Sequence, residues 1–357
     1  MRKHLLLNGI LLAASLVSGH AAAPIQLHPE NPHYFLWRGR PEILITSGEH
    51  YGAVVNLDFD YVRYLDTLAR DKLNLTRAFL AYREQAGAFN IAANSLAPKP
   101  DKFIAPWARS DAPGYFDGGN KFDLTRWNPA YFARLKDFVA QAGRRGIVVE
   151  ANLFSCFYSE KSWATHPLNG RNNINEAGAC PWDEALTLKH ANLLKFEEDY
   201  VRKVIAELAP FDNVYYEICN EPYIGGVPMD WHNHMADVIA EAQRATRHPK
   251  LVSHNVANNW AKLANPHPAV SILNFHYGSP PRAVAENFGA GRVIGDNETG
   301  FRGTNDAPYR MEGWDFILAG GGLYNNLDYS FVAGHEDGTF VYPASQPGGG
   351  NPVFRRQ

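Results

Sequence analysis

The chain has no basic excess: Lys and Arg number 34 against 37 Asp and Glu, a formal net charge of -3. That balance offers no field to hold a polyanion, and blocks of like charge are missing, so nucleic acid is excluded as a partner. Beyond the first residues no stretch reaches the ~20 apolar residues of a membrane helix, so no membrane partner is expected. Cysteine is scarce. Three thiols complete no disulfide framework. Only Cys156 and Cys180 flank one predicted loop, and whether they pair stays open; a bond there would contribute roughly 3 kcal/mol in an oxidising compartment. Cys219 lies in a strand-like run and reads as a buried strand residue, not a nucleophile.

What is present begins with a leader pattern over residues 1–23. A basic start (Arg2, Lys3) precedes an apolar stretch from Leu5 to Val17 and small residues from Gly19 to Ala23. Pro24 sits badly just after a cleavage point, so a cut after Ala21 fits better than one after Ala23. With no Cys at that junction to carry a lipid, the expected product is soluble, monomeric, and periplasmic or secreted. Residues 24–357 are long enough for one large barrel domain.

Strand-like segments at 42–46, 73–79, 146–154, 213–220, 251–255, 271–276, 293–297 and 322–329 alternate with helical patterns at 59–71, 129–145, 186–208, 231–246, 282–288 and 309–318, with a weak one after Asn258. Eight such repeats predict an α/β fold, a closed (β/α)8 TIM barrel of parallel strands. No eighth helix is evident after strand eight, and residues 33–41 read as a short N-terminal hairpin covering the barrel bottom. In such barrels the loops leaving the C-terminal strand ends build the active site. The longest, 80–127 and 155–184, carry Trp107, Trp163 and Trp182. They read as cleft walls, with these rings either sugar platforms or pins that hold the loops.

Two carboxylates stand out. Glu221, in Asn220-Glu221-Pro222, ends strand four, and Glu298 ends strand seven in the run Val293 to Thr299. Cleaving a sugar acetal through an oxocarbenium-like transition state needs one acid to protonate the leaving oxygen and one carboxylate across the anomeric carbon. Asp296, two residues earlier, rivals Glu298, since alternation puts both on one face. Asn220 is placed to bind the sugar 2-hydroxyl. His50 and Tyr51, after strand one, are substrate-binding candidates at the pocket floor.

With those residues in place the chain resembles the clan A retaining glycoside hydrolases, the (β/α)8 superfamily that includes the family 5 cellulases and mannanases. The resemblance covers roughly residues 42–330 and implies Glu221 as acid/base and Glu298 as nucleophile. It also implies Arg77, His276 and Tyr277 as substrate-site residues around Glu298. Strand eight offers Tyr324 where family 5 enzymes often carry Trp, and Asn152 stands where a typical cellulase has His near the end of strand three; both departures weigh against a cellulase. Arg77 would favour the ionised form of Glu298, whereas Glu221, as acid, needs a raised pKa. The expected activity is retaining, metal-independent and cofactor-free hydrolysis of a β-glycosidic bond in a carbohydrate substrate. A metal-dependent barrel hydrolase using His232 and His234, a non-catalytic carbohydrate-binding barrel, and more weakly a polysaccharide lyase are the rivals.

Overall fold

The computed structural model describes residues 23–356, so the leader pattern over 1–23 lies, but for its last residue, outside the described residues. Eight parallel strands run in chain order around a barrel. They are strand one (Leu44–Gly48), two (Leu75–Phe79), three (Val148–Ser155), four (Val214–Asn220), five (Val252–Asn258), six (Ile272–His276), seven (Val293–Thr299) and eight (Leu323–Leu327). Hydrogen-bonded ladders join two to three and onward through eight, and eight to one. Strands one and two close the ring without a regular ladder. Asn74 bridges them: its side chain accepts from the Ile45 N–H at 2.8 Å and donates to the Ile43 carbonyl at 2.9 Å. Its own N–H reaches the Ile45 carbonyl, and the Phe79 N–H reaches that of Tyr51.

Strands two, three, four, six, seven and eight are buried along their whole length, as expected of parallel strands covered on both faces. Their helices begin where the sequence supplies caps. Asp60 accepts from Val62 and Arg63 before helix Tyr61–Arg70, and Asn128 accepts from Ala130 and Tyr131 before helix Pro129–Arg144, whose first residue is proline. Helices Ala191–Leu208, Met229–Gln243, Arg282–Asn287 and Asp306–Leu318 follow. The weak pattern after Asn258 forms no helix among the described residues; 259–271 is an irregular connection. After strand eight the chain makes one helical turn, Pro352–Arg355, where the sequence pattern indicated no helix. Arg355 anchors this turn by ion pairs to Asp71 and Asp328.

The bottom is closed by a three-stranded antiparallel sheet, Gln26–Leu27, Phe35–Trp37 and Arg40–Glu42. Phe35 stacks on Tyr215 inside an apolar layer with Leu44, Leu75, Val148, Ile272, Val293 and Leu323, one residue from almost every barrel strand. The expected hairpin is therefore present, with one more strand than the pattern suggested. In the loop after strand two, Trp107–Pro113 and Asn120–Trp127 form a second antiparallel hairpin.

Candidate active site

Above the apolar layer the barrel interior turns polar. Glu150 and Glu217, both fully buried, share the Asn274 and Asn297 amides. Glu217 also takes the Asn152 amide at 2.7 Å and an ion pair from Arg77. Burial works to raise Glu217, but the Arg77 charge and hydrogen bonds outweigh it and hold the carboxyl low. Burial and the charge of Glu217 push Glu150 well up. The fixed Arg77 guanidinium then reaches upward, donating to Asn220 Oδ1 at 2.7 Å and to Glu298 Oε2 at 3.1 Å. Its flat face lies 4.6 Å from the Tyr51 ring centre.

Glu221 and Glu298 stand at the top of this stack, 6% and 7% exposed, so only a narrow face of each carboxyl meets solvent. Tyr277 donates its hydroxyl to Glu298 Oε1 at 2.9 Å, and Tyr158 donates to Glu221 Oε2 at 2.5 Å. His276 Nδ1 lies 3.1 Å from Glu221 Oε1 and 3.7 Å from Glu298 Oε1. One oxygen from each carboxylate and a His276 ring nitrogen all fall within 4.8 Å of one another. The Glu221 N–H is fixed by Asn255 Oδ1 at 2.8 Å.

The turns that present these groups are strained. Tyr51, Glu221, Tyr277 and Phe301 all have positive φ, between 46° and 62°, each within three residues of a barrel strand end. Such conformations cost on the order of 1–3 kcal/mol each in a non-glycine residue and persist where the surroundings over-determine them.

Burial works to raise Glu221 as the sequence requires of an acid. The hydrogen bonds and charge of His276, the Tyr158 hydroxyl and the Arg77 charge outweigh it, and the free carboxyl lies below its ordinary range. The expectation of a raised value is therefore not met, because two strong donors converge on the carboxylate. His50, after strand one, is driven down to about 3 by burial and by the charge of Arg77, so it is neutral.

Several expected site residues sit elsewhere. Trp107 is fully buried among Trp127, Tyr200 and His166, and Trp163 packs on Phe157 and His166 while its ring N–H donates to the Cys180 carbonyl. Neither offers a face to a ligand; both pin loops. Tyr324 points out of the barrel, donating to the Tyr309 carbonyl and touching Gly313 on helix Asp306–Leu318. The Asn220 amide is committed to Ser155 and Tyr158 instead of standing free for a 2-hydroxyl. Asp296 is separated from Glu298 by a register shift in strand seven. It faces outward to the Gly278 N–H, and burial and the Glu312 charge push its pKa well up. His232 is buried against His254 whereas His234 pairs with Glu198, so the two are not joint ligands. All three cysteines are free.

The sequence reading missed Tyr158, Asn255 and Glu217. Tyr158 follows strand three closely, and Glu217 shares an inward face with Asn220's strand, but neither lies in a motif; only the closed barrel brings them to the carboxylates.

A family model described as a domain of unknown function (DUF6298) matches residues 97–266. No curated protein matches the chain. Among solved structures, one from Bacteroides vulgatus, provisionally assigned as a glycoside hydrolase, is 15% identical with a TM-score of 0.63, covering 90% of this chain and 58% of its own. The present chain thus spans less than two thirds of that protein. A glycoside hydrolase family 5 mannosidase from Rhizomucor miehei is 13% identical, with TM-score 0.59 and 86% of each chain covered. An endo-1,4-beta-mannanase from the same organism is 11% identical, with TM-score 0.57 and coverage of 85% and 90%. At such identities the likeness shows the fold alone: the chain is a (β/α)8 barrel like these structures.

Proposed function

We propose that the protein is a retaining glycoside hydrolase, with Glu298 as nucleophile and Glu221 as acid/base. The observation that carries this reading is the approach of the two carboxylates, oxygen to oxygen within 4.8 Å. Retaining enzymes hold their carboxyl groups about 5–5.5 Å apart, and inverting ones leave about 6.5–9.5 Å for a water. Arg77 and Tyr277 hold one oxygen each of Glu298, which fixes the attacking lone pair. In the first step a Glu298 oxygen bonds to the anomeric carbon, the bond to the leaving oxygen breaks, and the Glu221 proton passes to that oxygen. Water then attacks the same carbon, gives its proton to Glu221 and releases Glu298.

The Tyr158 and His276 hydrogen bonds that lower Glu221 in the free site loosen when a leaving oxygen takes their place, which returns proton affinity to the acid. The site then acts as secreted or periplasmic β-glycosidases do, as a monomer on a carbohydrate. The mannosidase and mannanase among the fold neighbours put β-mannosides first in a substrate screen. Product stereochemistry tests the reading: proton NMR of the first-formed sugar is expected to give the β-anomer, and an α-anomer would overturn retention.

A metal-dependent hydrolase is the second reading, favoured by the Glu221, His276 and Glu298 cluster. Each of the four carboxylate oxygens already has a protein donor, so a cation would have to displace Arg77, Tyr277, Tyr158 or His276. Activity surviving dialysis against chelator supports the first reading. Loss restored by a divalent ion supports the second.

A further inference from the structure

The run Tyr342 to Gly350, dense in proline and glycine, follows strand eight and lies across the barrel mouth as a strap. Hydrogen bonds tie it to a loop on either flank. From the loop after strand two, the Asn90 amide donates to the Ser345 carbonyl at 2.9 Å and the Ala92 N–H to Gln346 Oε1 at 3.0 Å. From the loop after strand seven, the Phe301 and Gly303 N–H groups donate to the Gly348 and Pro347 carbonyls at 3.0 and 2.9 Å. The Gly350 N–H reaches the Leu327 carbonyl at the end of strand eight. Glycine lets the strap lie this close: a Cβ on Gly348 would fall 2.2 Å from the Gly303 carbonyl oxygen, and one on Gly349 2.4 Å from that of Leu327. Gln85 donates to the Lys161 carbonyl at 2.8 Å and carries the tie on to the loop after strand three. Hydrogen bonds therefore close the rim from strand seven past eight, one and two to strand three.

A sugar held between Glu221 on strand four and Glu298 on strand seven has two directions in which to extend: toward strands five and six, or toward eight, one and two. The first is occupied. His276 stands 3.1 and 3.7 Å from the two carboxylates, and Tyr223 beside it donates its hydroxyl to Asn258 at 2.7 Å. On the second side Tyr329 Oη and His50 Nδ1 are buried without a hydrogen-bond partner among the described residues, and their rings meet at 5.7 Å. Contacts tie both to the nucleophile. The Tyr329 ring lies 6.1 Å from that of Phe301, itself 6.2 Å from that of Tyr277, the donor to Glu298. The His50 ring lies 5.5 Å from that of Tyr51, which covers Arg77. Buried polar groups in native proteins nearly always have partners, so this is the side where sugar hydroxyls are expected. The strap stands directly behind it, with the Tyr342 ring 6.2 Å from that of Tyr329.

We propose that the strap makes the glycone site a blind pocket for a terminal sugar, so that the enzyme removes single sugars from non-reducing chain ends and does not cut within a chain. This rests on the glycosidase reading above and adds to it the mode of attack. The anomeric carbon of the bound sugar carries the leaving oxygen, so the rest of that sugar points toward the non-reducing end. A chain continuing in that direction would have to pass through the strap. The slight exposure of both carboxyls belongs to a pocket and not to an open groove.

The test uses the full chain and β-linked manno-, gluco- and galactopentaose, each with a fluorescent label at the reducing end. On the pentaose that wild type cleaves, the first labelled product is expected to be the tetrasaccharide, with free monosaccharide in equal amount. Labelled di- or trisaccharide appearing first overturns the proposal. A benzylidene acetal across O4 and O6 of the non-reducing sugar should lower kcat/KM at least about 100-fold, because its bulk meets the closed end of the pocket. Equal rates with and without this cap overturn the proposal as well. The double variant Asn90→Ala, Gln346→Ala unties the strap from the loop after strand two and leaves the two carboxylates and their donors in place. It should keep its rate on an aryl β-glycoside and reduce the penalty of the cap about 10-fold. An unchanged penalty overturns the strap as the closing wall. If the double variant does not fold, Asn90→Ala alone is read by the same ratio. A wild type that cleaves no glycoside overturns the glycosidase reading alone. Calorimetric titration of the capped and uncapped pentaoses into wild type then reads the pocket by itself: binding of an uncapped chain only is expected, and equal binding of both forms, or of neither, overturns the proposal.

Discussion

The two ends of this barrel are built on opposite terms. At the bottom, Phe35 and Tyr215 stack in a dry layer to which nearly every strand contributes one aliphatic side chain. At the top, buried carboxyls crowd around one guanidinium, and four residues near strand ends hold left-handed backbone. Burial of apolar area stabilises the first, while the second costs stability through desolvated charge and backbone strain. The same strand ladders support both, so the bottom and the outer helices must supply the free energy that the top consumes. Barrel enzymes in general divide a stabilising face from a reactive one in this way.

The sharpest way to break the comparison is at the top. Glu298→Ala and Glu221→Ala are each expected to lower turnover about a thousandfold or more. Melting temperature should fall modestly in each variant while the fold persists, because the donors around Glu221 make its charge stabilising and Arg77 and Tyr277 each lose a partner with Glu298. Turnover near wild type in either variant, measured on an activated aryl glycoside, would remove that residue from its role. Phe35→Ala or Tyr215→Ala at the bottom should behave in reverse. Each opens a cavity worth about 3–5 kcal/mol of stability by denaturant titration, while kcat per folded molecule stays close to wild type.

A smaller effect tests how the top is tuned. The acid must carry its proton, so kcat/KM should fall as pH rises through the Glu221 pKa, which the free site holds below its ordinary range. Tyr158→Phe removes one lowering donor and should move that descending limb to higher pH by about one unit. A limb that stays in place would separate Glu221 from the pH profile.

Stability itself should lean acidic. Burial pushes Glu49 up to about 7 and Glu84 and Glu197 up to about 8. Between the ordinary carboxylate range and those values the folded chain binds more protons than the unfolded one, so stability falls as pH rises. Calorimetry should record a lower melting temperature at pH 8 than at pH 5. The smallest expectation concerns thiols: with all three cysteines free, reductant should leave the melting temperature where it was.

Much of this architecture was readable in advance, for reasons tied to particular residues. The eight strands stand out because each is an apolar run between polar connections, and Asn128-Pro129 marks a helix start chemically. Glu221 and Glu298 stand out because a carboxylate directly ending an apolar strand has little structural reason to be there. The aromatic residues misled for a physical reason. Trp107, Trp163 and Tyr324 have the same composition signal whether a ring faces a ligand or a hairpin, and here each is enclosed by its own loop or by an outer helix. Tyr158 gave no signal at all, since its position in a long loop says nothing of where that loop returns.

The sequence by itself determined the order of strands and helices and the two strand ends that carry the paired carboxylates, because periodicity and chain order are local properties. Tertiary structure alone decided which groups surround them. The register shift in strand seven turns Asp296 outward and Glu298 inward, and closure of the ring brings Arg77 from strand two across to strands four and seven. Those contacts depend on where a side chain points and which distant strand stands opposite, and neither is written in any short stretch of chain.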